Sequence, residues 1–241
     1  MLAATALLCG LTSSLRAEQE AKPAAGKETQ PVNPVTAPIV DVPGLPRVLL
    51  IGDSISLGYT LDVRELLKEK ANVHRPPANC GSTAIGVENL DAWLGDGDWD
   101  VIHFNWGLWD INRRVNGKRN LDGQISATEE EYAERLEQLV VRLKKTGATL
   151  IWAPTTFVQG GFGRRPGDEV RYNAIAAEIM EKHNVQINDL HALSAKFPRY
   201  GETPEGKPEM FKSVGNVHFT PEGSRVLAEQ VAKSIAATLD Q

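Results

Sequence analysis

A chain of 241 residues is long enough for one sizeable α/β domain and a tail, but hardly for two full domains. A formal net charge of -5 and a pI near 5.6 exclude a basic nucleic-acid-binding surface. The basic pairs Arg113-Arg114, Lys144-Lys145 and Arg164-Arg165 read as solvated faces or helix-end charges.

From the N-terminus, Met1 to Ala17 holds an apolar segment, Leu2 to Leu11, followed by small residues. It reads as a secretory signal segment (1–17) cut after Ala17, too short to span a bilayer, and it implies a secreted or periplasmic protein. Cys9 invites a lipid anchor, but Leu8 stands where such a site normally has a small residue. Loss of Cys9 with the signal would leave Cys80 alone and no internal disulfide. Residues 18–46, rich in Ala, Lys, Glu and Pro without apolar period, read as a flexible linker to a domain over 47–241.

The domain opens on Val48 to Ile51, an unbroken apolar run expected to be a fully buried strand. An amphipathic helix is expected over Thr60–Ala71, a short strand over Asn72–Arg75, and a helix running through Trp93-Leu94. Val101–Trp106 is a third strand. Thr128 with Glu131 forms a capping box for a long helix that stops at Gly147. Thr149–Ala153 is the next strand, Asp168–His183 a helix, and Val185–Ile187 a last strand. Thr220-Pro221-Glu222, an N-cap with proline at the first helical position, opens a final helix to about Leu239. Strands separated by helices imply a three-layer α/β/α sandwich around a central parallel sheet.

Two short stretches carry the chemistry. The first strand empties into Gly52-Asp53-Ser54-Ile55-Ser56, which puts Ser54 where open α/β sheets bind ligands, beside a helix N-terminus. His218, in Asn216-Val217-His218-Phe219-Thr220-Pro221, is a late histidine ahead of a helix and a candidate general base. Ser54 taken alone is as well read as a helix cap. Asp53 reads as a loop-organising acceptor and His103 as a structural histidine. His74, His183 and His191 lack ligand spacing, so no metal is expected. Trp106, Trp109, Trp152 and Phe157 fall near strand ends, either as core or as a rim for a sugar ring. The glycine-rich loop Thr155 to Gly167 has no Walker spacing and reads as a mobile, substrate-shaping loop.

These blocks, in this order, resemble those of the SGNH (GDSL-like) hydrolase superfamily, over roughly Arg47 to Leu239. The resemblance implies a flavodoxin-like three-layer fold, Ser54 as nucleophile, His218 as base, and the N–H of Gly81 as an oxyanion donor beside that of Ser54. Two blocks depart from the pattern. Where the family has Gly-x-Asn-Asp this chain has Gly107-Leu108-Trp109-Asp110, so Trp109 or the nearby Asn105 must supply the missing donor. Where it has Asp-x-x-His this chain has Gly215-Asn216-Val217-His218, leaving a backbone carbonyl near Gly215, or Asp189 at the end of the last strand, to orient the imidazole. The activity implied is hydrolysis of a small acyl ester, acetyl above all, on a small molecule or carbohydrate, without a cofactor. The rivals are a carbohydrate-binding member of the same fold that has lost catalysis, and an acyl transferase using the same serine and histidine.

Overall fold

The computed structural model describes residues 33–241, so the expected signal segment and the linker residues up to 32 lie outside the described residues. Val48 to Ile51 are at most 1 % exposed, as an apolar run without alternation requires of a strand covered on both faces. They belong to β1 (Arg47–Ile51), which pairs in parallel with β2 (Asn72–His74) on one side and β3 (Val101–Phe104) on the other.

Between these strands lie α1 (Ser54–Leu66) and α2 (Thr83–Leu94). After β3 the chain makes three short strands, β4 (Arg113–Val115), β5 (Lys118–Arg119) and β6 (Gln124–Ile125). Then come α3 (Glu129–Lys144), β7 (Thr149–Trp152), α4 (Asp168–His183), β8 (Gln186–Ile187), α5 (Leu190–Ser194) and α6 (Pro221–Leu239). The main sheet has five parallel strands in the order β2-β1-β3-β7-β8. Helix α1 packs with α6, and α3 packs with both α2 and α4. The order reverses between β1 and β3, and the crevice at their C-terminal ends is where a doubly wound sheet takes its ligand.

Several elements differ in detail from the sequence expectation. Helix α1 starts at Ser54, not Thr60, because the Asp53 carboxylate caps it by accepting from the Ile55 N–H at 2.8 Å. The expected strands are shorter at their ends by one or two residues. The antiparallel sheet β5-β4-β6 was not anticipated. Its turn carries Asn116 and Gly117 at φ 49° and 76°, the conformation a two-residue hairpin demands, so Asn-Gly was a readable signal. Arg113 of this hairpin forms a buried ion pair with Asp168 at the start of α4.

Residues 33–46, inside the stretch read as linker, are tied to the domain. Asn72 accepts from the Val42 N–H (2.8 Å) and donates to the carbonyls of Val42 and Leu45 (3.1 and 3.0 Å). Trp106 and Trp152 are core residues, at 0 and 1 % exposure, and so are not part of a sugar-facing rim. His103 is buried against Asn188, and burial pulls its pKa down to about 4. No helix among the described residues is long and apolar enough to cross a membrane.

Candidate active site

Ser54 is the first residue of α1 at the end of β1. Because Asp53 takes the capping role, the Ser54 hydroxyl is free, and its Oγ lies 2.9 Å from Nε2 of His218. The Ser54 N–H, at the first helical position, has no intrahelical acceptor.

His218 sits on a short return of chain toward α6. The Lys212 N–H donates to the His218 carbonyl at 3.0 Å, and Phe211 pairs with Phe219 across the return. The rings of Phe211 and Phe219 pack with centroids 4.9 Å apart and planes tilted by 33°, so the backbone of His218 is held by buried aromatic packing. The imidazole is oriented by Asn216. Its Oδ1 accepts from the His218 N–H at 3.0 Å and lies 2.9 Å from Nδ1. The backbone N–H can only donate, which identifies the Asn216 atom as the oxygen. Nδ1 must then carry the proton, and Nε2 turns its lone pair toward Ser54. Burial lowers the pKa of His218, and the charges of Lys212, Arg119 and Arg164 lower it further.

Asn216 replaces both orienting groups expected from the sequence. Asp189 is exposed, and its carboxylate caps α5 by accepting from the Ala192 N–H at 2.8 Å, so it is not the partner of His218. Nor is a carbonyl at Gly215 the acceptor, since Nδ1 faces the Asn216 side chain. The signal for Asn216 was its position two residues before the histidine, where an Asn side chain folds back on the following backbone.

The three further oxyanion candidates occupy different positions. Gly81 adopts φ +55°, a conformation that favours glycine, and its N–H donates to Asn79 Oδ1 at 3.1 Å. Asn105 follows β3 directly, with its N–H on the Ile51 carbonyl of β1. One N–H of its side-chain amide donates to the Ala153 carbonyl at 2.7 Å, leaving the other uncommitted. Trp109 is half-buried in the turn beyond Gly107 and lines neither the cleft that holds Ser54 nor the small cavity lined by Asp53, Ile55 and Asn105. Asn105 lines that cavity with Asp53 and Ile55, the residues on either side of Ser54 in the chain.

A buried arginine that sequence reasoning passed over ties these pieces together. Arg75 donates to Ser56 Oγ (3.1 Å) and Thr60 Oγ1 (2.8 Å) on α1, and to the carbonyls of Gly52 (3.2 Å) and Ala78 (3.3 Å). The strand end, the nucleophile helix and the Gly81 loop thus share one guanidinium. Asp53, buried behind the nucleophile, has Oδ2 without a protein partner, and desolvation raises its pKa against the pull of the Ile55 N–H, Arg164 and Arg75. Cys80 is also buried, and desolvation pushes its thiol up to about 11, away from reactivity.

Beside the pair opens a cleft of about 410 Å³. Ser54, His218, Leu57, Leu61 and Phe219 line it, and Val35 adds a wall from the segment ahead of β1. The arrangement provides a hydroxyl on a neutral imidazole, nearby N–H donors, and a largely apolar trough.

The chain belongs to the family described as "Protein of unknown function (DUF459)", whose model matches residues 47–234. None of the curated proteins is detectably similar in sequence. Among solved structures, the chain is similar to an acetyl xylan esterase, AlAXEase, with a TM-score of 0.64 and 16% identity over 78% of this chain and 99% of that one. A lipase/acylhydrolase from Enterococcus faecalis matches with a TM-score of 0.63 and 19% identity, over 80% of this chain and 96% of that one. A GDSL-like lipase from Bacteroides thetaiotaomicron matches with a TM-score of 0.57 and 13% identity, over 83% and 93%. The fold is therefore that of the SGNH, or GDSL-like, hydrolases.

Proposed function

We propose that this DUF459 chain is a carboxylic ester hydrolase that uses Ser54 as nucleophile and His218 as general base. The observation that carries the reading is the 2.9 Å contact between Ser54 Oγ and His218 Nε2, with Nδ1 of the same ring held by Asn216. In this mechanism the Ser54 hydroxyl adds to the ester carbonyl as Nε2 accepts its proton. The Ser54 N–H and the free N–H of Asn105 hold the oxyanion, joined by the Gly81 N–H if it turns from Asn79. His218 then hands its proton to the departing alcohol oxygen. Water, deprotonated by the same nitrogen, releases the acid from the acyl-serine.

The substrate is a small acyl ester, acetyl above all, on a carbohydrate or small-molecule alcohol, and the protein acts outside the cytoplasm. Support for the acyl size comes from the modest cleft, and for export from the N-terminal sequence. The engaged Gly81 N–H favours a second reading, a protein of the same fold that binds such esters without turnover. Labelling with a fluorophosphonate separates the two. The hydrolase reading expects covalent modification of Ser54, abolished in Ser54→Ala and strongly slowed in His218→Ala. A parent protein that stays unlabelled at millimolar reagent argues for the binding protein.

A further inference from the structure

Around His218 the chain gathers basic side chains that form no ion pair. Among the described residues, none of the ion pairs involves Arg114, Arg119, Arg164 or Lys212. This is unexpected in a protein of net charge -5.

The backbone brings these residues to the site. Lys212 pairs with His218 across the return and lines the cleft. The hairpin strand β4 is bonded to the glycine-rich loop through the Arg113 N–H and the Gly163 carbonyl, at 2.6 Å. Over that same glycine lies Arg119, whose Cβ would be 3.2 Å from a Cβ added there. The loop then meets the histidine segment, where a Cβ on Gly161 would lie 3.3 Å from the Gly215 carbonyl oxygen and Gln159 donates to the Asn216 carbonyl at 3.1 Å. Arg164, only 1 % exposed, donates Nε to the Leu108 carbonyl at 2.7 Å and Nη1 to that of Phe162 at 3.3 Å. Its hydrogen bonds are to neutral acceptors, and the buried Asp53 is an opposing charge that acts on it. The acid on the cleft wall, Asp62, is paired with Arg225 at 3.2 Å.

Like charges packed together, one of them buried, cost stability unless something of opposite sign is held there. Burial together with the charges of Arg119 and Arg114 pulls the Arg164 pKa down to about 10, a sign of that cost. The position of the cluster identifies which part of an ester it faces. His218 must deliver its proton to the leaving oxygen, so the alcohol departs within hydrogen-bonding reach of Nε2. Groups that surround His218 therefore meet the alcohol and not the acyl group.

We propose that the alcohol part of the substrate carries a carboxylate, held on the leaving-group side of His218 by Lys212 and Arg119. The inference rests on the hydrolase reading above. It turns the general expectation of an ester into an ester of an acidic alcohol.

Acetate release by the full chain from 4-acetoxybenzoate and from its neutral counterpart 4-acetoxybenzamide tests it, each rate being divided by that for hydroxide alone. The expected kcat/KM ratio favours the carboxylate by about tenfold, mostly through KM, since electrostatic complementarity acts on capture and register. Raising the ionic strength shrinks the ratio. Lys212→Gln and Arg119→Gln each bring it toward one, whereas Lys182→Gln, on the remote face of α4, leaves it as it was. A ratio of one or less, or one indifferent to salt and to both site variants, overturns the inference while the hydrolase stands. Failure to cleave either ester overturns the hydrolase reading and this inference together.

Discussion

At the scale of single residues, the account turns on an asparagine standing where a carboxylate would be expected. Asn216 presents an oxygen to Nδ1, so it fixes the useful tautomer, but it adds no negative charge to stabilise the imidazolium. The neighbouring cations push the same way, and the His218 pKa lies below the ordinary histidine value of 6.5. The base is active when neutral, so kcat/KM should climb with pH through a midpoint below 6.5 and stay on a plateau above it. Lys212→Ala removes a charge that lowers that pKa, and its acid limb should move upward. Asn216→Asp should move it further, because a carboxylate favours the protonated ring. In Asn216→Ala the ring loses its orienter, and kcat should fall by about 10²- to 10⁴-fold, the range over which acid–base catalysis is worth having. A pH–rate series on the three variants checks all of this. The contact of Ser54 with His218 was anticipated from their positions taken together with the resemblance to SGNH hydrolases, since Ser54 alone reads as well as a helix cap. Asn216 was not, because the expectation looked three residues upstream for an acid, while a side-chain amide two residues upstream satisfies the same nitrogen.

At the scale of elements, Arg75 explains how β1, α1 and the Gly81 loop keep register. Its guanidinium bonds reach Gly52, Ser56, Thr60 and Ala78. Arg75→Met keeps the length of the side chain but leaves the Gly52 and Ala78 carbonyls without that donor. The expected loss is about 2–4 kcal/mol of stability, within the range for stranding buried polar groups. Denaturant unfolding of the variant measures it, and an unchanged midpoint would show that the arginine organises nothing. The long helices were readable because caps and periodicity agree locally, as with Thr128 and its Glu131 capping box. Less readable was the start of α1, where Ser54, Ser56 and Gly58 interrupt the apolar pattern. The hairpin β4–β6 escaped because its strands are two or three residues long and mostly exposed, leaving almost no alternation to detect.

At the scale of the whole molecule, two buried titratable groups set opposing responses to acid. His103 has its pKa depressed to about 4, so it stabilises the fold fully above its unfolded value and loses that contribution as pH falls from 6.5 toward 4. Asp110, under α2 and accepting from Thr83, is raised by burial to about 6. Its folded form binds the proton more readily than the unfolded chain, so acidification from 6 toward 3.8 stabilises. The two largely cancel between pH 7 and 5. Asp110→Asn deletes the stabilising member, and its melting temperature should fall more steeply over that interval than the parent's. Equal slopes would contradict the opposition. The layered architecture behind this balance was legible because parallel strands, covered on both faces, write themselves as uninterrupted apolar runs. The most direct test of the central claim is 4-nitrophenyl acetate hydrolysis by the full chain beside Ser54→Ala and His218→Ala. The account predicts turnover by the parent and a loss of at least about 10³-fold in either variant. Turnover that survives both substitutions, or a parent no faster than they are, would contradict it.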